Sequence, residues 1–252
     1  DILEHLDDEN KWSMWYGHKH DREIEKYDET KYKELQTKLW GMDIEEGFRF
    51  IFKTANIYGN GPREYRRLGG EKIDELEYTN PEDNSDPTKI FRDTLSTAVK
   101  EITNRENTIA SIIVHELLPG DSIPVHSDTL SDNIRQYDCL NFTYSCCVDH
   151  IPIPMHMGGG IGFSAPPKFK HQSITSLVYP YMPNSLTLID CFTQNDKIYH
   201  FVPALSSFVD SDVNRRIVFQ GTILLEKDVD IYNHRWYDYK TEVGKPALKI
   251  AR

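Results

Sequence analysis

Ile109-Ala-Ser-Ile-Ile-Val-His-Glu-Leu-Leu118, followed by Pro119-Gly-Asp-Ser-Ile-Pro-Val-His126, is where the texture of the chain changes. The first run is rich in β-branched and large apolar residues, Pro-Gly interrupts it, and a second short extended run comes after. The same texture continues to the end of the 216–225 run. The apolar runs cover 109–118, 122–126, 139–148, 160–164, 173–180, 185–190, 198–204 and 216–225, separated by Pro, Gly, Asn and Asp. Short strands at this near-regular spacing predict a mainly β domain, a two-sheet sandwich or barrel of the jelly-roll kind.

Upstream of this block the sequence is polar and mostly helical in pattern. Asp28 is placed to cap a helix with Tyr32, Leu35 and Leu39 on one face, stopping at Gly41. Segments 59–70 (GNGPREYRRLGG) and 80–87 (NPEDNSDP) read as loops, and Phe91, Leu95, Ala98 and Ile102 then recur at helical spacing. The expected organisation is a helical and loop region over 1–107 with flanking helices packed on the core. A β core occupies 108–226, then a C-terminal extension 227–252. Tyr232, Trp236, Tyr237 and Tyr239 in that extension predict that it packs on the domain.

The chain has 252 residues, enough to bury a substantial core, with 38% hydrophobic and 27% charged residues. A net charge of −11 weighs against a nucleic-acid partner, because phosphate binding needs a basic face. No apolar run has the length of a membrane span. Cys139, Cys146, Cys147 and Cys191 lack CxxC spacing and lie in apolar segments, which predicts buried thiols and a cytoplasmic or other reducing compartment. The Asn141-Phe-Thr143 sequon falls in an expected buried strand and reads as chance. The chain starts at Asp1 without a methionine, which fits a trimmed chain that has lost a targeting segment.

The chemistry concentrates in His126-Ser-Asp128. Residues two apart on an extended segment point to the same side, so this imidazole and carboxylate can converge on one ion. A second histidine from a distant strand would complete a two-His-one-carboxylate set, which leaves coordination positions open for oxygen chemistry. His-x-Asp alone is common. Its weight here comes from the motifs downstream of it. They are a Gly-rich strand (Gly158-Gly-Gly-Ile-Gly-Phe163), the strand of 185–190, Lys197-Ile-Tyr-His200-Phe-Val-Pro203, and Asn214-Arg-Arg216-Ile-Val-Phe-Gln-Gly-Thr-Ile.

In this order the motifs resemble the Fe(II)/2-oxoglutarate dioxygenase superfamily over roughly 109–226, with the prolyl-4-hydroxylase-like branch nearest in layout. The resemblance implies a double-stranded β-helix holding Fe(II) through His126, Asp128 and His200, with 2-oxoglutarate and O2 as co-substrates. It also implies an arginine that pairs with the distal carboxylate of 2-oxoglutarate, a task suited to the guanidinium fork. Arg215 and Arg216 compete for that place. From Arg216 the alternate residues are Val218, Gln220 and Thr222, a mixed face fit to line a barrel. From Arg215 they are Ile217, Phe219 and Ile223, an apolar face fit to lie under helices. Alternation therefore favours Arg216. On 139–148 the same test groups Asn141, Thr143 and Ser145, which makes Asn141 and Thr143 candidate co-substrate contacts. The chain departs from the branch pattern where a tyrosine is usual before the Pro-Gly turn: Leu117 and Leu118 stand there.

The resemblance implies oxidation of an unactivated C–H bond by hydroxylation, desaturation or oxidative ring closure, with release of succinate and CO2. A small polar metabolite, amino-acid-derived ones included, is the preferred substrate class. The rival readings are a protein or peptide hydroxylase, and a cupin-like metal-binding protein without 2-oxoglutarate chemistry, since Gly120-x5-His126-x-Asp128 echoes a cupin motif. Arg216 has no comparable task in the latter. His115 reads as a core or barrel-lining histidine, and the glycines of 158–160 as close backbone packing at a bend. Arg63, Arg66 and Arg67 read as a solvated loop or, alternatively, as a lid offering positive charge to an anionic substrate.

Overall fold

The computed structural model describes residues 12–18, 21–42, 49–59, 87–128, 138–146, 152–164, 176–190, 198–208 and 215–225. The loop carrying Arg63, Arg66 and Arg67 and the C-terminal extension lie outside these residues, as do Cys147 and Cys191. All eight runs that read as strands are strands: β4 (Asn107–Leu117), β5 (Ile123–His126), β6 (Asp138–Cys146), β7 (Ile161–Ser164), β8 (Ser176–Tyr179), β9 (Ser185–Asp190), β10 (Tyr199–Val202) and β11 (Arg216–Leu225).

The helix expected after Asp28 is α1 (Glu29–Trp40). Asp28 accepts from the Lys31 backbone N–H at 2.8 Å, and the Gly41 N–H closes the C-terminal turn on Thr37. The second helix, α2 (Pro87–Thr103), buries a stripe shifted from the expected one. Leu95 and Val99, four apart, carry the contact, while Ile102 is 64% exposed.

The N-terminal region departs further from expectation. Helical and loop by its sequence pattern, it contributes three strands: β1 (Ser13–His18), β2 (Asp21–Lys26) and β3 (Arg49–Gly59). β3 pairs antiparallel with β4, so one seven-stranded sheet, ordered β2-β1-β3-β4-β11-β6-β9, runs through the expected boundary at 107. For β3 the physical reason is burial on both faces. Phe50, Ile51 and Phe52 are consecutive and all buried, so the period-2 signal of a half-buried strand is absent.

A second sheet is ordered β5-β10-β7-β8. An apolar cluster of Phe50, Phe52, Leu117, Val202 and Val218 joins the two sheets. On the other face of the large sheet, Leu95 and Val99 of α2 pack on Ile112, Val114, Ile217 and Phe219. Tyr32 and Leu39 of α1 pack on Met14 and Ile51. The layers are therefore helices, seven strands and four strands, with antiparallel pairing throughout both sheets. Among the described residues no helix is long and apolar enough to cross a membrane.

Candidate metal centre

β5 and β10 pair with His126 opposite His200, and this register brings the two imidazoles together at 4.2 Å between ring centroids. Asp128 stands two residues after His126. Its Oδ1 lies 3.8 Å from His126 Nε2 and its Oδ2 3.5 Å from His200 Nε2. One ligand atom from each of the three residues falls within 4.8 Å of the others. The Nδ1 atoms face backbone carbonyls, that of His126 at 2.8 Å from Pro124 O and that of His200 at 3.3 Å from Ile198 O. A proton on Nδ1 donated to a carbonyl leaves the lone pair on Nε2, the atom turned toward Asp128. Two imidazoles that present Nε2 and one carboxylate, grouped on one side, fit a divalent iron with open positions.

Asn141 on β6 fixes the carboxylate by donating from Nδ2 to Asp128 Oδ2 at 2.6 Å. Its amide oxygen accepts from Thr222 Oγ1 at 3.4 Å. Strand alternation makes Asn141 a candidate co-substrate contact; in the structure its side chain engages Asp128. Thr143, two residues on, lines the cavity beside the three ligands. That cavity measures about 140 Å³ and extends from the ligands to Arg216.

Alternation on β11 separates the two arginines as the pattern of faces implies. Arg216 is buried and lines the cavity. Its Nε donates to Gly159 O at 2.7 Å, its guanidinium lies 5.5 Å from the Tyr181 ring, and its Nη1 has no partner among the described residues. Gly159 holds φ +71°, and an added Cβ would meet Leu205 at 3.0 Å, so the carbonyl that orients Arg216 comes from a position suited to glycine. Burial lowers the Arg216 pKa to about 10, which leaves it charged at neutral pH. Arg215 points to the other face, where its Nε donates to Glu116 Oε1 at 2.8 Å. Lys53 reaches the same carboxylate at 3.0 Å and lies over the rings of Trp12 and Tyr27. Burial works to raise the Glu116 pKa, and these two cations outweigh it and hold it below the usual range.

A buried clamp ties the metal loops to α1. The Asp121 carboxylate, fully buried after the Pro-Gly turn, accepts from the Leu118 N–H at 2.7 Å, from Gln36 Nε2 at 2.6 Å and from the Tyr32 hydroxyl. Backbone bonds Gly120 N to Leu205 O at 2.7 Å and Leu205 N to Asp121 O at 2.9 Å join this turn to the segment after His200. Desolvation raises the Asp121 pKa to about 7. Nothing in the sequence pattern singles out Asp121, nor Trp15, Phe50 and Phe52, which line the cavity from β1 and β3. The only sequence signal of the three aromatics is their density in segments without strand alternation.

No protein-family model matches the sequence, and no curated protein matches it. Solved structures do resemble the fold at a distance. An oxidoreductase of the 2OG-Fe(II) oxygenase family from Burkholderia pseudomallei matches with TM-score 0.34 and 13% identity, over 79% of this chain and 80% of that one. A Pseudomonas putida prolyl-4-hydroxylase matches with TM-score 0.38 and 10% identity, over 90% and 97%. The non-haem alpha-ketoglutarate-dependent epimerase SnoN from nogalamycin biosynthesis matches with TM-score 0.39 and 10% identity, over 88% and 80%.

Proposed function

We propose that this chain is an Fe(II)- and 2-oxoglutarate-dependent dioxygenase. The observation that carries the reading is one cavity containing both a two-His-one-carboxylate set and a buried, charged arginine with a guanidinium nitrogen unpartnered among the described residues. A facial ligand set calls for a metal with open positions, and a buried cation beside it calls for an anionic ligand. A small 2-oxo dicarboxylate answers both. His126, Asp128 and His200 would hold Fe(II), which when bound supplies the oxidative chemistry with O2 and 2-oxoglutarate. Arg216 would pair with the distal carboxylate, and Asn141 keeps Asp128 turned toward the imidazoles. Phe50, Phe52, Ile123, Ile161 and Val202 line the cavity with apolar surface that excludes water.

The cavity, at about 140 Å³, lies below the roughly 300–1,000 Å³ of pockets that enclose drug-sized ligands. It suits a co-substrate, with the substrate reacting at the mouth. The substrate class we propose is a small polar metabolite, amino-acid-derived ones included, oxidised at an unactivated C–H bond. The test is 2-oxoglutarate turnover by anaerobically iron-loaded protein exposed to O2, read as succinate against metabolite and peptide libraries. Succinate formed with a metabolite and lost in His200→Ala supports the reading. Succinate formed only with peptides moves the substrate class to a peptide hydroxylase. Iron binding with no succinate under any condition removes the dioxygenase assignment.

A further inference from the structure

Three cavity-lining residues carry buried polar atoms without a hydrogen-bond partner among the described residues: Trp15 (Nε1), His115 (Nδ1 and Nε2) and Arg216 (Nη1). They come from three different strands, β1, β4 and β11. His115 is 3% exposed, lies 4.5 Å from the Phe52 ring at a tilt of 39°, and meets the Trp15 ring edge-on at 6.3 Å. A buried polar group left unpaired costs stability, and apolar side chains would fill these places without that cost. Orphans gathered along one cavity point to a partner that enters from outside.

We propose that His115 is a second carboxylate anchor beside Arg216, so that strand β4 contributes to the co-substrate site. This rests on the reading of the cavity as the 2-oxoglutarate site. The accounting of donors and acceptors supports it. Burial, with the charge of Arg216 adding to it, lowers the His115 pKa to about 3, so the ring is neutral and has one N–H and one acceptor nitrogen. A second cation is therefore not on offer; a second donor is. Carboxylate oxygens would accept from Arg216 Nη1 and from the His115 N–H, which gives both of these orphaned donors a partner. The arrangement also supplies a donor from β4, the strand in which leucines stand near the place where the related pattern has tyrosine.

The experiment measures equilibrium binding to anaerobic, Mn(II)-loaded protein by calorimetry, with 2-oxoglutarate and with 2-oxobutyrate, which keeps the chelating 2-oxo acid and lacks the distal carboxylate. His115→Leu should weaken 2-oxoglutarate binding about tenfold or more, the range for losing a hydrogen bond to a charged group, and leave 2-oxobutyrate binding unchanged. The same variant should unfold at no lower temperature than the native sequence without ligand, since it removes two unpaired atoms. His115→Gln, which retains an N–H donor, should recover most of the affinity. Equal loss for both ligands, or a destabilised His115→Leu with unchanged 2-oxoglutarate affinity, overturns the proposal and makes His115 a packing residue. If native protein binds 2-oxoglutarate and Arg216→Ala does not, while His115→Leu binds normally, only this inference fails. If the native protein binds no 2-oxoglutarate, the dioxygenase reading fails with it.

Discussion

Two adjacent arginines illustrate how much a single side chain's direction decides. Arg216 faces a cavity and Arg215 faces a buried glutamate, so the same substitution at each has a different readout. Arg216→Ala should raise the 2-oxoglutarate requirement at least tenfold with iron retained, from loss of a charge-assisted pair worth about 1.5–3 kcal/mol. Arg215→Ala should leave that requirement unchanged and lower stability by about 1–3 kcal/mol, because Glu116 stays buried and keeps Lys53 but loses the second cation beside it. Denaturant midpoints and co-substrate titrations on both variants separate the two effects, and a reversal would assign the cavity role to the wrong arginine. At the metal, His126→Ala, Asp128→Ala and His200→Ala should each sharply weaken Fe(II) uptake, measured as bound iron after anaerobic gel filtration. Full occupancy in His200→Ala would exclude it as a ligand.

Between elements, the Asp121 clamp connects α1, the Pro-Gly turn before β5 and the segment after β10. The two histidines sit on β5 and β10, so their relative position depends in part on this carboxylate and its bonds. Its protonation has a defined sign. The folded-state pKa is raised from 3.8 to about 7 by burial, with Glu116 adding to the shift and the bonds from Tyr32, Gln36 and Leu118 opposing it. The folded protein thus holds this proton more tightly than the unfolded chain. The contribution is fully present below about pH 4, is lost as pH rises from there to about 7, and is constant above. Asp121→Asn cannot titrate. The stability of the native chain relative to this variant should fall as pH rises from about 4 to about 7 in urea unfolding. A rise over that range would mean that Asp121 is held ionised in the fold.

At the scale of the molecule, the seven-stranded sheet makes β1, β2 and β3 part of the same body as the β core. β3 closes on β4, β1 on β3, and Trp15, Phe50 and Phe52 reach the cavity. Deleting residues 1–48 removes β1, β2 and α1 and uncovers the β3 edge together with Ile51, which packs against Met14, leaving an apolar edge prone to association. The truncated chain should lose cooperative thermal unfolding and become insoluble. A soluble truncation with a sharp transition and bound iron would show instead that the β core from 49 onward stands by itself.

The eight strands after residue 106 are legible because turn residues punctuate them at short intervals, a local property of sequence. His126 and Asp128 are legible as a pair because they are two apart on an extended segment, and the facing of Arg216 because β11 alternates between a mixed and an apolar face. Of the N-terminal strands, β3 is not legible because a strand buried on both faces has no alternation to read, and β2 because it is a mostly polar edge strand. Nor is the second half of the cavity. Trp15, His115 and Arg216 lie about a hundred residues apart along the chain in each step, and strand order β1-β3-β4-β11 alone sets them side by side. Asn141 shows the same limit: its face can be read from alternation, but its bond to Asp128 is set by how the two sheets meet, which the packing of both around one apolar cluster decides.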